Sequence, residues 1–112
     1  MIDYADQTVL ITGGASGIGK ALAEAFEARG AAVIIADRQA AAAESVAASL
    51  GGLAIACDLS DPAAPAALLE RAFEWRGKLD LVCANAGYGR NKRIIKDHFD
   101  DAAMNMFALN LF

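Results

Sequence analysis

The chain has 112 residues, room for one domain spanning residues 1–112 that buries roughly two thirds of the surface of its unfolded chain, with no second core. Hydrophobic residues make up 56% of it, yet no apolar run approaches the ~20 residues of a membrane span, so a soluble chain with a large core demand is expected. A formal net charge of −4, a pI of 4.8 and the lack of any Lys/Arg run argue against nucleic acid or an anionic membrane surface as the main partner.

The N-terminus, MIDYADQ, is acidic and has neither the basic n-region nor the apolar h-region of a secretory signal, which places the protein in the cytoplasm. A first apolar run, TVLI (8–11), leads into Thr12-Gly13-Gly14-Ala15-Ser16-Gly17-Ile18-Gly19. Helical spacing follows over 18–29, with Ile18, Leu22, Ala25 and Phe26 as the apolar stripe, Arg29 in the last turn and Gly30 as the stop. AAVIIA (31–36) reads as a second strand and the alanine-rich 39–50 as a second helix, facing inward through Val46 and Leu50 and stopped by Gly51. LAIAC (53–57) is a third strand. A third helix is predicted from Ser60 or Asp61 as N-cap, with Pro62 in its first turn, through Leu69 and Phe73 to Gly77. LDLVCA (79–84) is a fourth strand. These runs are short and do not strictly alternate, as strands buried on both faces read. Strands alternating with helices predict right-handed βαβ units in a parallel sheet with helices on both faces, an α/β fold. After a polar loop, AAMNMFALNLF (102–112) begins a further helix with Met104, Phe107, Ala108 and Leu111 on one face. The stripe is still running at Phe112, and the chain is expected to be truncated there.

The glycine loop carries the strongest chemical signal. Gly13 permits a tight exit from the strand, Gly17 lets backbone approach a pyrophosphate without a Cβ in the way, and Gly19 allows close helix–sheet packing. Amide N–H groups at the helix N-terminus then face the phosphates. A plain strand-to-helix turn does not require three glycines at these offsets. Asp37 ends the second strand eighteen residues after Gly19, where a carboxylate accepts hydrogen bonds from both hydroxyls of an adenosine ribose and repels a 2′-phosphate. Arg38 next door can tolerate that phosphate, but the charge balance favours NAD over NADP. Asp37 also reads as an N-cap for the following helix. Asp58 has the same double reading, as a cap or as a contact to the adenine amino group.

These residues carry a resemblance. The TGxxxGIG spacing from Thr12 to Gly19, the strand-end Asp37, the pair Asp58-Leu59, and Asn85-Ala86-Gly87 after the fourth strand resemble the N-terminal part of the short-chain dehydrogenase/reductase family. The resemblance implies a Rossmann-like doubly wound parallel sheet with the four strands in order 3-2-1-4, NAD(P) along their carboxyl ends, and hydride transfer between nicotinamide and a small alcohol or carbonyl. It implies cofactor contacts from Gly13, Ser16, Gly17, Ile18, Gly19, Asp37, Arg38, Asp58, Leu59, Asn85, Ala86 and Gly87, with Asn85 steadying the central strands. Asn110 matches the family's catalytic asparagine, Asn105 less well, and the family tends to form homo-oligomers. The implied order sets Cys57 and Cys83 three strand spacings apart, about 14 Å, beyond disulfide reach, so both are expected to stay reduced.

The family's catalytic serine, tyrosine and lysine have no counterpart here. Tyr88 and Lys92 have the right spacing for a lysine to depress a phenol's pKa, but Gly89 between them weakens a helix and they lie in the loop directly after the fourth strand. They read as the rim of the cofactor cleft. His98 sits among Lys96, Asp97 and Asp100 as a solvated helix start, and Cys57, Cys83 and His98 lack metal-site spacing, so no metal is expected. Three functions follow: the cofactor-binding part of an NAD(P)-dependent oxidoreductase, inactive by itself; a binding-only nucleotide or dimerisation module; or an S-adenosylmethionine-dependent methyltransferase-like domain, whose fold shares the glycine loop and strand-end acids.

Overall fold

The computed structural model describes residues 3–85. They form β1 (Thr8–Thr12), α1 (Gly17–Ala28), β2 (Ala32–Asp37), α2 (Ala40–Leu50), β3 (Leu53–Ala56), α3 (Ala64–Arg76) and β4 (Leu81–Ala84). All four strands are parallel, in spatial order β3-β2-β1-β4, which is the order the resemblance implied. Every residue of β1 is buried, because both faces of the sheet are covered. On one face Val9, Ile11, Val33 and Ile35 meet Ala23 of α1 and Ala43, Val46 and Ala47 of α2. On the other, Leu10, Ile34, Ile55 and Val82 meet Leu68 and Ala72 of α3. The helices present mainly alanine to bulky strand residues, so they sit close to the sheet, and truncating fully buried Leu10 to Ala would cost about 3 kcal/mol.

Connections through α1 and α2 step the chain outward from β1 to β3, and α3 then carries it back across the other face to β4, beside β1. The strand order reverses between β1 and β4. In open α/β sheets ligands bind at the carboxyl ends of the strands at such a switch point, here the ends of β1 and β4.

Two helices differ from the sequence expectation. The buried face of α1 is Gly19, Leu22, Ala23 and Phe26, whereas Ile18 is 73% exposed and Ala25 is also outward. The first turn lies so near the sheet that only a glycine fits beneath it, and this rotates Ile18 away. Helix α3 starts at Ala64, with Ala63 as the N-cap, two residues beyond Asp61 and three beyond Ser60, and Pro65 in the first turn. A start at Asp61 would put Pro65 where the first intrahelical N–H is needed, and proline has none. Asp61 instead closes a turn, its Oδ1 accepting from Ala63 N at 3.0 Å. The inward residues of α3 are Pro65, Leu68 and Ala72; Phe73 is exposed. Strand β4 is shorter than the apolar run suggests, since Leu79 is buried below it and Asp80 ties back to β1. Ala86, Gly87, Tyr88, Lys92, His98, Asn105, Asn110 and the helix expected over 102–112 lie outside the described residues.

Candidate functional site

At the carboxyl end of β1, Gly13 N donates to the Ala36 carbonyl at 2.7 Å, so the chain leaves the strand while still tied to β2. Gly13 (φ 65°) and Gly17 (φ 59°) occupy the left-handed region, which costs a residue with a side chain about 1–2 kcal/mol. A Cβ on Gly17 would meet no atom within 4 Å, so the space over the first turn of α1 is open. That turn contains no carboxylate, and Ser16 stands at the N-cap in an extended conformation with no side-chain cap bond. The unshared N–H groups of the turn and the positive end of the helix dipole therefore favour an anion there.

Gly19 is under the opposite constraint. A Cβ there would overlap the Gly13 carbonyl oxygen and stand 2.6 Å from Asn85 Nδ2. Asn85 Nδ2 donates to the Gly13 carbonyl at 3.3 Å, and Asn85 N donates to Thr12 Oγ1 at 2.9 Å. The Thr12 hydroxyl in turn donates to the Cys83 carbonyl at 3.4 Å. Thr12 thus couples the exits of β1 and β4, a role that sequence reasoning missed, since it took Thr12 only as the start of the motif. Its one signal was a buried hydroxyl ending an apolar strand.

The Asp37 carboxylate lies beside the loop, with Oδ2 accepting from Ala15 N at 3.2 Å and Oδ1 from Gln39 N at 3.0 Å. It is not the cap of α2, whose N-cap is Gln39. Arg38 is exposed. Asp58 does not cap α3 either: its Oδ1 accepts from Ser60 Oγ at 2.7 Å and Ser60 N at 3.0 Å. The Ser60 hydroxyl and then its amide hold the Asp58 carboxyl below its ordinary range, with a smaller contribution from the charge of Arg38. The Leu59 side chain is buried in the core on the α3 face, so backbone is what this residue offers at the site. Structure thus brings Gly13, Ser16, Gly17, Gly19, Asp37 and Asn85 to the exits of β1, β2 and β4. Asp58 and Leu59 follow β3, at the far edge.

An open pocket of about 310 Å³ beside β3 is lined by Ile55, Cys57, Asp58, Asp61, Leu68 and Arg71, among others. Burial, then the charges of Asp58 and Asp61, push the Cys57 thiol up; burial does the same to Cys83. Both cysteines are free. Among the described residues no group of His, Cys, Asp and Glu could hold a metal ion, and no helix is long and apolar enough to cross a membrane.

A sequence profile described as "short chain dehydrogenase" matches residues 7–112. The chain is 37% identical over 106 residues to the short-chain dehydrogenase reductase ATA1 of Arabidopsis thaliana, covering 95% of this chain and 39% of that protein. Among solved structures it is similar to the Pseudomonas aeruginosa RhlG/NADP active-site complex, at 36% identity and a TM-score of 0.71, covering 77% of this chain and 36% of the other. It is also similar to the 3-ketoacyl-(acyl-carrier-protein) reductase of Brucella melitensis complexed with NADH, at 30% identity and a TM-score of 0.73, covering 95% and 48%. The chain therefore spans less than half the length of each of these relatives.

Proposed function

This chain belongs to the short-chain dehydrogenase family, and from that premise we propose that its residues bind NAD(P) as the amino-terminal part of an oxidoreductase acting on a small alcohol or carbonyl compound. One observation carries the reading: the open space over Gly17, at an uncompensated helix N-terminus, fits a pyrophosphate that any side chain at that position would displace. The Ser16 hydroxyl and the first amides of α1 hold the phosphates. Asp37, at the end of β2, accepts from the ribose hydroxyls, and exposed Ile18 offers apolar surface at the site. Asp58, its charge fixed by Ser60, receives the adenine amino group. A bound nicotinamide supplies the hydride donor or acceptor for alcohol–carbonyl interconversion. Asn85 keeps β1 and β4 in register beneath it.

NAD is the favoured cofactor. The carboxylate of Asp37 repels a 2′-phosphate, and the charge of Arg38, which would attract one, acts in part on Asp58. The family's serine and its tyrosine–lysine pair match no position of these 112 residues other than the spacing of Tyr88 and Lys92, so this stretch binds and does not turn over substrate. The cytoplasm, with its nucleotide pool, is the compartment that suits it. A fluorescence titration of the purified chain with NAD, NADP and S-adenosylmethionine tests the proposal. Saturable binding, tightest for NAD, is expected, whereas binding of S-adenosylmethionine without NAD would overturn it.

A further inference from the structure

Resting on that reading, we infer that Asp37 is a positioning residue as well as a ribose acceptor: its carboxylate is a strut fastening the glycine loop to β2, so one side chain sets both cofactor choice and cradle shape. Three consecutive loop amides point at the end of β2. Gly13 N and Gly14 N donate to the Ala36 carbonyl at 2.7 and 3.4 Å, and Ala15 N donates to Asp37 Oδ2 at 3.2 Å. The first bond is short and the second long; the third ends on a charged oxygen and is the one of the three that a side chain supplies. The loop also lies directly on β2, since a Cβ on Gly14 would stand 3.0 Å from Ile35 Cγ2.

The carboxylate is itself held. Its other oxygen accepts from Gln39 N at 3.0 Å, which fixes the rotamer so that Oδ2 faces Ala15. Each carboxylate oxygen has two lone-pair sites, so bonding one amide apiece leaves capacity for two ribose hydroxyls. Helix α1 begins at Gly17, two residues past Ala15, so slack at Ala15 is passed to the amides that face the phosphates. Replacing Asp37 to admit a 2′-phosphate therefore does two opposed things: it removes a repulsive charge and loosens the cradle both cofactors share.

Asp37→Ala and Asp37→Asn separate the two effects in the whole chain. Both remove the charge, but asparagine keeps an acceptor oxygen for Ala15 N–H. In the absence of nucleotide, Ala15 amide exchange is expected to quicken at least about tenfold in Asp37→Ala and much less in Asp37→Asn. The amide of Ile34, in the middle of β2, should be unchanged in both, which distinguishes a local strut from general destabilisation. In titrations, Asp37→Asn should bind NADP about tenfold more tightly than Asp37→Ala. Equal NADP affinity in the two variants, with equal Ala15 exchange, would overturn the strut and leave charge as the whole role of Asp37. If no form binds either nucleotide, the nucleotide reading fails while Ala15 exchange still decides the strut.

Discussion

Thr8 and Asp80 hold each other by two hydrogen bonds, Thr8 N donating to Asp80 Oδ2 at 2.8 Å and Asp80 N to the Thr8 carbonyl at 2.9 Å. The pair pins the amino end of β4 to that of β1, at the end of the sheet opposite the candidate site. Lys78 Nζ adds an ion pair to Asp80 Oδ2 at 3.3 Å, but its side chain is 44% exposed. Asp80→Ala leaves the buried Thr8 N–H without a partner and should cost about 2 kcal/mol, whereas Lys78→Ala should stay within about 0.5 kcal/mol. Urea denaturation of both variants checks this; equal losses would mean that the ion pair, not the backbone bond, does the holding.

The Thr8 hydroxyl itself is fully buried and has no hydrogen-bond partner among the described residues. Valine has the same shape and a higher preference for a buried strand. Thr8→Val should therefore stabilise the fold by about 1 kcal/mol, since it removes the desolvation penalty of an unmade hydrogen bond. A lower denaturation midpoint in this variant would contradict the absence of a partner.

Gly17 and Gly19 should fail differently when each is replaced by alanine. At Gly17 the space is open and only the left-handed backbone resists, so Gly17→Ala should cost about 1–2 kcal/mol, keep the fold and weaken nucleotide binding. At Gly19 the new methyl collides with backbone that cannot withdraw, because Asn85 holds the Gly13 carbonyl. Gly19→Ala should cost more than about 3 kcal/mol and move both loops. Circular dichroism melts alongside a nucleotide titration separate the two, and a Gly19→Ala protein with unaltered melting would refute the packing assigned here.

The Asp58 carboxyl lies below its ordinary range, so its interactions stabilise the fold above the unfolded value of about 4 and are lost as pH falls through the lower folded value. Ser60→Ala removes the leading cause and should raise the Asp58 midpoint toward that of a free carboxyl. Arg38→Gln removes the weakest of these attractions and should raise it less. Carbon-detected titration of the Asp58 carboxyl orders the two, and the opposite order would show that charge outweighs the local hydroxyl.

Much of the scaffold was legible because it rests on local signals. Four apolar runs too short for helices, the first leading into the glycine loop, the second and third ending at an acid and the fourth at Asn85, specify strands buried on two faces, and the structure has them at β1 to β4. The start of α3 was misread because Asp61 and Pro62 look like a cap and first turn until the missing N–H of Pro65 is counted. The exposure of Ile18 was hidden for a different reason. Periodicity gives the spacing of a stripe but not its phase, and phase is set by how closely the helix approaches the sheet.

Sequence by itself determined the kind of element in each described stretch, the glycines that stop the three helices, and the acid that ends β2, since each depends on residues adjacent along the chain. Tertiary structure alone decided which groups meet across it: Thr8 with Asp80, Thr12 with Asn85, and Ala15 with Asp37, at separations of 72, 73 and 22 residues. Such pairings arise because a parallel sheet brings strand ends from distant units to one edge, and no local propensity encodes the partner found there.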